Sequence, residues 1–332
     1  MNSHAEGGEN GYRWLMTEPT EVVVESTAPF PKQAQSARSF LDLDDVGSEE
    51  LAEILRLGRV EAPTQVLAGR GVALLFEKPS ARTRHSTEVA VAQLGGHPVY
   101  VRAEEVGIDG RESAEDVART LACYHDVICA RVFDHRVLTR MAASIRGAAP
   151  VVNLLSDRSH PCQGLADLLC LQDQLGDLRG TRWAYVGDGN NVARTLGVAA
   201  GLVGATLAVA TPEGFELDGA GSGSLAAVDS YHDPRAAVDG AAVVYTDAWY
   251  SMGEEAEANE RRPVFRRYAV TAELLDSAAP GAGFMHCLPA HRGDEASDEV
   301  LDGPRSWIWL QAAHRLTAMR GLLWWLAERG RD

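Results

Sequence analysis

Short apolar runs alternate with segments of helical periodicity along most of the chain. The apolar runs form two series, at 72–77, 97–101, 126–132 and 150–155, and then at 183–188, 206–212, 241–249 and 283–288. The helical patterns between and around them cover 48–58, 113–125, 135–145, 190–204, 271–279 and 316–329. Apolar strands alternating with helices are typical of parallel sheets that are covered on both faces. The pattern predicts an α/β protein of two domains, each a parallel sheet flanked by helices.

The two series also suggest where the domains begin and end. Residues 1–37 are polar with little apolar periodicity, which predicts a flexible N-terminal extension. The first domain is expected at 38–165 and the second at 166–315, joined by interdomain helices, one of which begins at His160. The final helix, at 316–330, is expected to pack back on the first domain.

Composition and charge narrow the classes of partner. The chain has 332 residues, 45% of them hydrophobic, and a formal net charge of −16, so a nucleic-acid partner is not expected. Its five cysteines are an odd number without metal-type spacing, which favours free thiols in a reducing compartment. No run of about 18 apolar residues and no secretion signal is visible. We therefore expect a cytoplasmic protein that does not interact with membranes.

The segment 76–88, FEKPSARTRHSTE, joins the end of one predicted strand to the start of a helix. Ser80 suits the N-cap position, with Thr83 at the third helical position. Arg82 and Arg84 are unfavourable in a first turn, which carries a partial positive charge, unless an anion binds there. Backbone N–H groups, hydroxyls and guanidinium groups together predict a phosphate-sized site. The alternative is a surface helix with solvated arginines.

Two further strand ends carry groups that suit a carbamoyl moiety. His160 and Gln163 are three residues apart at the start of a helix, so they share a face. An imidazole can donate to a carbonyl oxygen, and a carboxamide can accept from an NH2 group. Arg131 ends another strand and is expected in the same crevice. A capping histidine and a salt bridge at the domain interface are the ordinary alternatives.

The second series ends in polar and thiol-containing turns. The turn 187–191, GDGNN, lacks the GxGxxG fingerprint of dinucleotide sites, so Asn191 is expected to bind a ligand through its side chain. Asp247, followed by Ser251 and Met252 in an acidic loop, suits an ammonium ligand; a capping aspartate is the alternative. Cys287 and Leu288 precede Pro289, which predicts an extended backbone that presents carbonyl groups. Cys287 can equally belong to the core.

Taken in order, FEKPSARTR, HPCQ, GDGNN, DAWYSMGEEAE and HCLPAHRGDE resemble ornithine carbamoyltransferases, over residues 38–330. The resemblance implies transfer of the carbamoyl group of carbamoyl phosphate to the δ-amine of L-ornithine, without metal or organic cofactor, in arginine biosynthesis. It implies a homo-oligomer, a trimer or a multiple of it. The domain 38–165 would bind carbamoyl phosphate, and the domain 166–315 would bind ornithine.

The resemblance also implies individual roles. Carbamoyl phosphate would contact Ser80, Arg82, Thr83, Arg131, His160, Gln163, Leu288 and Arg315. The ornithine-binding residues would be Asn191, Asp247, Ser251 and Met252. The catalytic residues would be Arg131, His160, Cys287 and Arg315.

Three departures from the family pattern keep alternatives open. Ala81 stands where a threonine is common, the loop 103–111 lacks a glutamine that a neighbouring subunit often supplies, and Ala313-His314 replace Glu-Asn. They permit a carbamoyltransferase for another amine, or a catalytically weak ligand-binding relative. A nucleotide-dependent dehydrogenase is the poorest alternative, since the glycine fingerprint is absent.

Overall fold

The protein contains two parallel β-sheets with helices on their faces, as the sequence pattern predicts. The computed structural model describes residues 38–61, 63–250 and 258–329. The first sheet has the strand order β2-β1-β3-β4 and the second the order β7-β6-β5-β8-β9. Every strand pair in both sheets is parallel. The predicted fold class is confirmed.

The first sheet is built from β1 Gly71–Phe76, β2 His97–Arg102, β3 Val127–Arg131 and β4 Val151–Leu155. Its helices are α1 Ser48–Gly58, α2 Ala81–Gln93, α3 Ala103–Val106, α4 Ala114–Ala122 and α5 His135–Ser144. Helix α6, Pro161–Leu175, follows β4 and leads into the second sheet. Almost every residue of β1, β3 and β4 is buried, and apart from Arg131 and Asn153 these strands are apolar.

The second sheet is built from β5 Arg182–Val186, β6 Thr206–Ala210, β7 Val228–Tyr231, β8 Val243–Thr246 and β9 Gly283–His286. Its helices are α7 Asn191–Val203, α8 Pro234–Val238, α9 Ala258–Phe265, α10 Ala272–Asp276 and α11 Asp298–Leu301. The last helix, α12, is Ile308–Arg329. Among the described residues, no helix combines the length and apolar character needed to cross a membrane.

Several elements differ from the sequence prediction. The short helices α3, α8, α9 and α11 were not predicted. Strand β7 was not predicted, because this edge strand reads VDSY and only Val228 is buried. Helix α12 begins at Ile308 and not at Leu316. Its first two turns carry Gln311, His314 and Arg315, which interrupt the apolar pattern although Gln311 and Arg315 are buried.

Helix α12 packs against α1, α2 and α6. The crossing with α1 is close: a Cβ atom on Gly321 would lie 2.3 Å from the Ile54 carbonyl oxygen and 2.6 Å from the Gly58 nitrogen. Only glycine allows two helix backbones to approach in this way. The crossing fixes the position of α12 against α1.

Replacement of Gly321 by alanine is therefore expected to lower the free energy of unfolding by about 1–3 kcal/mol, the usual cost of overpacking. Gly201 is the matched control, since its Cβ would meet no atom nearer than Ser224 O at 3.8 Å. Gly201→Ala should be neutral or stabilising by up to about 1 kcal/mol through helix propensity. Urea denaturation measures both variants, and equal effects would contradict the close crossing.

Candidate active site

The start of α2 forms one wall of a cavity at the carboxyl ends of the strands. Ser80 is the N-cap, as predicted, and its Oγ accepts from the Thr83 backbone N–H at 3.5 Å. Arg82 lines the cavity, and no carboxylate within the described ranges forms an ion pair with it. Arg84 does not join this site. Its guanidinium pairs with Glu88 at 2.8 Å and lies 4.0 Å over the Tyr100 ring, so the predicted convergence of two arginines is wrong for Arg84.

Arg131 and His160 present buried donors to the same cavity. Arg131 ends β3, and its Nε has no hydrogen-bond partner among the described residues. Burial and the nearby charges of Arg315 and Arg82 lower the pKa of Arg131 to about 10. Burial, Arg315 and Arg131 likewise hold the pKa of His160 well below its usual value, so the imidazole is neutral.

The hydrogen bonds of His160 define its tautomer. Arg315 Nη1 lies 3.3 Å from His160 Nε2, and a guanidinium can only donate. Nε2 is therefore the unprotonated nitrogen, and the proton is on Nδ1. Nδ1 is buried and lacks a partner in the described part of the chain. It is a donor available to a ligand.

Arg315 connects three elements around the carbamoyl end of the cavity. Its guanidinium donates to the Gln163 side-chain oxygen and to Thr83 Oγ1, the latter at 3.3 Å, in addition to the His160 contact. The neighbouring His314 has other partners. Its Nε2 lies 2.9 Å from Asp173 Oδ2 and its Nδ1 lies 3.0 Å from Thr317 Oγ1. Three guanidinium groups thus face a cavity wall with few acids, an arrangement that favours a bound anion.

The opposite wall carries carboxylate and amide groups. Asp247 accepts from Asn190 Nδ2 at 3.0 Å and from the Cys287 thiol at 2.9 Å. Asn190 also caps α7 through the Val192 and Ala193 N–H groups. Asn191 lines the cavity, but its amide donates to the Ser156 carbonyl at 2.6 Å, so this donor is already in use. The predicted residues Ser251 and Met252 lie outside the described residues.

The turn after β9 is not extended, contrary to the sequence prediction. Leu288 has φ 59°, in the left-handed region, and the Leu288–Pro289 peptide bond is cis. The Leu288 N–H donates to His286 Nδ1 at 2.8 Å, which turns the chain back on the strand end. His286 Nε2 in turn lies 3.2 Å from the buried Glu295 carboxylate. The turn brings Cys287 and Leu288 into the cavity wall.

The cavity has a volume of about 290 Å³. It brings together most of the predicted residues, namely Ser80, Arg82, Thr83, Arg131, His160, Asn191, Asp247, Cys287, Leu288 and Arg315. Gln163 lines an adjoining cavity of about 210 Å³ that shares Arg82, Cys287 and Arg315 with the first. Arg82, Arg131 and Arg315 come from the first sheet, its helices and α12, and we call their side of the cavity the cationic end. Asp188 and Asp247 follow strands of the second sheet and define the acidic end, and Asp157 also lines the cavity.

Several lining residues were missed by the sequence reasoning. Lys78, Asp188, Asn190, Tyr250 and His291 also line the cavity. Tyr250 and His291 stack with ring centroids 4.5 Å apart. Signals for them existed, because Lys78 lies within FEKPS and His291 within HCLPAHR, close to the residues that were singled out.

One group of donor atoms has the proximity of a metal site. Atoms of Asp247, His286 and Cys287 lie within 4.8 Å of one another. Both ring nitrogens of His286 already have partners, Leu288 N and Glu295 Oε1. Burial and Asp247 raise the pKa of the Cys287 thiol well above its usual value, so the sulfur keeps its proton. The group fits a hydrogen-bonded cluster better than a metal centre.

The chain matches two protein-family models along its length. Residues 38–173 match the aspartate/ornithine carbamoyltransferase carbamoyl-P binding domain, and residues 179–326 match the Asp/Orn binding domain of the same family. The chain belongs to the aspartate/ornithine carbamoyltransferase family. The family suggested by the sequence motifs is confirmed.

Named relatives and solved structures are similar to this chain over most of its length. The anabolic ornithine carbamoyltransferase of Pyrococcus furiosus is 44% identical over 305 residues, which are 87% of this chain and 96% of that protein. The ornithine carbamoyltransferase structure from P. furiosus has a TM-score of 0.82 at 43% identity and covers 87% of this chain and 97% of its own. The Thermus thermophilus structure has a TM-score of 0.80 at 42% identity, covering 87% and 98%.

The protonated state of Cys287 has a measurable consequence. At about pH 8 a thiol with a raised pKa contains little thiolate and reacts slowly with iodoacetamide. We expect exposed Cys123 to be alkylated first and Cys287 to react slowly. Asp247→Asn removes the neighbouring negative charge and should accelerate alkylation of Cys287. Mass spectrometry of the labelled peptides follows both residues, and rapid alkylation of Cys287 in the unmodified protein would contradict this description.

Proposed function

We propose that this protein transfers the carbamoyl group of carbamoyl phosphate to the δ-amine of L-ornithine and releases L-citrulline and phosphate. The observation that carries the proposal is one cavity with guanidinium groups at one end and Asp247 at the other. Relatives named ornithine carbamoyltransferases, 42–44% identical over most of the chain, favour ornithine over another acceptor amine. One of them is named as anabolic, which supports a role in arginine biosynthesis.

Carbamoyl phosphate is bound by the cationic end of the cavity in this proposal. Ser80, Arg82 and Thr83 hold the phosphate at the start of α2, where backbone N–H groups and the helix dipole favour an anion. The carbamoyl oxygen accepts from Arg131 and from His160 Nδ1–H, both of which have buried donors without a protein partner in the described ranges. The carbamoyl NH2 group faces Gln163 and the Leu288 carbonyl, and Arg315 holds these groups together.

Ornithine occupies the acidic end. Asp247 binds the α-ammonium group, with Asn191, Ser251 and Met252 completing the amino-acid site. This orientation leaves the side-chain amine directed toward the carbamoyl carbon. Cys287 lies between the two ends and holds Asp247 through its thiol.

The chemical step follows from these positions. The neutral δ-amine attacks the carbamoyl carbon, and negative charge develops on the carbamoyl oxygen. Arg131, Thr83 and His160 Nδ1–H stabilise that charge, which is usually the largest catalytic contribution. The bond between the carbamoyl carbon and the phosphate oxygen then breaks, and phosphate leaves with a proton from the attacking nitrogen. A neutral His160 suits the role of donor because it adds no charge that would hold the departing phosphate.

The proposal includes the division of labour between the sheets. The domain 38–165 binds carbamoyl phosphate and the domain 166–315 binds ornithine, while the helix at 316–330 returns to the first domain. It also includes a cytoplasmic homo-oligomer, a trimer or a multiple of it. Ala81, which is exposed at the first position of α2, supplies no hydroxyl to the phosphate.

The phosphate site is tested by Arg82→Ala with Arg84→Ala as the matched control. Loss of the Arg82 guanidinium removes a charge-assisted bond to a dianion, and we expect the KM for carbamoyl phosphate to rise at least about 10-fold. Arg84→Ala should change it little, because Arg84 pairs with Glu88. Steady-state kinetics with saturating ornithine measures this KM in both variants. Equal effects of the two substitutions would refute the assignment of Arg82 to the phosphate site.

The acceptor is tested with Asp247→Asn and a panel of amines. A carboxylate bond to an ammonium group contributes about 1.5–3 kcal/mol, so the KM for ornithine should rise about 10- to 200-fold. The KM for carbamoyl phosphate should be nearly constant. Putrescine, which lacks the α-carboxylate, should be a poor substrate of the unmodified enzyme. A higher rate with putrescine or another amine than with ornithine would refute ornithine as the acceptor, and only the assignment as a carbamoyltransferase would stand.

A further inference from the structure

A buried polar network lies behind the carbamoyl end of the cavity. We call it the Asp167 network; it consists of Asp167 and Gln163 on α6, Tyr245 on β8 and Gln311 on α12. Each of the four is at most 2% exposed. Buried polar groups are costly unless they are hydrogen-bonded, so their partners determine what the network does.

The hydrogen bonds of the network have one consistent arrangement. Asp167 Oδ1 accepts from Gln163 Nε2 at 2.8 Å and from Gln311 Nε2 at 2.7 Å, and Asp167 Oδ2 accepts from the Tyr245 hydroxyl at 3.2 Å. Gln311 Nε2 also donates to the Tyr245 oxygen at 2.9 Å. An ionised carboxylate can only accept and a guanidinium can only donate. The Gln163 amide, placed between Asp167 and Arg315, is therefore held with its oxygen toward Arg315.

The network also reaches the turn after β9. Gln311 Oε1 accepts from the His286 backbone N–H at 3.0 Å, one residue before Cys287. Since Gln311 Nε2 is committed to Asp167, its oxygen must face His286. The same carboxylate thus orients a side chain next to the carbamoyl group and a main-chain segment next to the acceptor.

We propose that Asp167 is a positioning residue for carbamoyl transfer, which acts by holding the Gln163 carboxamide in a single orientation and, through Gln311, the turn that carries Cys287. The inference rests on the proposed function, in which Gln163 and Arg315 contact carbamoyl phosphate. Asp167 itself lines neither cavity. Its effect on the reaction is therefore transmitted through Gln163 and Gln311.

The acceptor oxygens of Asp167 fix the orientation, and its ionisation determines how many donors they can accept from. Burial raises its pKa to about 6, against the hydrogen bonds of Gln163, Gln311 and Tyr245 and the charge of Arg315. The other titratable groups near it are Cys170 on α6 and Cys287 after β9, both of which are protonated thiols. Above this pKa the carboxylate accepts from all three donors. Below it, one oxygen becomes a donor and one of the three bonds is lost.

The first test replaces the carboxylate in two steps. Asp167→Asn retains one acceptor and Asp167→Leu retains none, so the KM for carbamoyl phosphate should rise about 10-fold and about 100-fold respectively. Inhibition by inorganic phosphate, which lacks the carbamoyl group, should be nearly unchanged in both. Asp173→Asn is the matched control on the same helix, since Asp173 pairs with Arg59 and His314 away from Gln163, and it should leave both constants unchanged. Equal weakening of phosphate and carbamoyl phosphate, or no change in Asp167→Asn, would overturn the inference.

The second test uses the pH dependence of kcat/KM for carbamoyl phosphate. Tyr245→Phe removes a hydrogen bond to the ionised carboxylate, so the acid limb near pH 6 should move to higher pH. In Asp167→Asn, the part of the acid limb that is due to protonation of Asp167 should disappear. The phosphate group of the substrate also ionises, with a pKa of about 6. This ionisation is the same for all variants, so it cannot produce a difference between their pH profiles. An acid limb at the same pH in all three proteins would overturn the inference.

Failure of the inference can be separated from failure of the proposed function. If Gln163→Ala raises the KM for carbamoyl phosphate while Asp167→Asn does not, the positioning role is wrong and the carbamoyl site stands. If Gln163→Ala has no effect, the assignment of Gln163 to the carbamoyl group fails with the inference, while Arg82→Ala and Asp247→Asn still test the transfer reaction. Should Asp167→Leu not fold, as judged by circular dichroism, Tyr245→Phe and Asp167→Asn still decide.

Discussion

The burial of the Arg315 guanidinium is the constraint on which the site depends. A charged group removed from water is tolerated only where acceptors surround it, and Arg315 finds them on Thr83, Gln163 and His160. These residues belong to α2 and α6, so satisfying Arg315 requires α12 to lie across both helices. The close crossing at Gly321 makes this position accessible. The packing of α12 against the other helices therefore also forms the cationic end of the cavity.

The two sheets contribute different charges to the cavity. Arg82 and Arg131 come from the first sheet and its helices and Arg315 from α12, whereas Asp188 and Asp247 follow strands of the second sheet, where the Cys287 thiol donates to Asp247. In the proposed function, these two sets of charges bind an anionic and an ammonium-bearing substrate on different sides of the cavity. Burial, and then the positive charges of Arg315 and Arg131, lower the pKa of His160, so its imidazole is neutral.

Most of the fold followed from local sequence patterns. Local patterns also indicated Ser80, His160 and Asp247 of the cavity wall, whereas Arg315 was implied only by the family resemblance. Apolar runs such as 72–77 and capping signals such as Ser80 depend on neighbours in sequence, and these predictions hold. The failures concern side chains and turns whose partners can be identified only in the folded chain, whether those partners are near in sequence or far from it. Arg84 is drawn to Tyr100 and Glu88, the backbone at Leu288 is set by His286, and the first turns of α12 carry polar residues whose partners lie on α6 and β8. No local pattern contains that information.

The position of Arg315 near the end of the chain has a consequence for synthesis. The first sheet and α2 are complete long before residue 315 is added, yet Gln163, His160 and Thr83 lack their common partner until then. A nascent or truncated chain therefore carries a formed sheet with an unfinished anion site. Domains fold as they emerge during translation, so the cationic end of the cavity is completed only when nearly the whole polypeptide has been made.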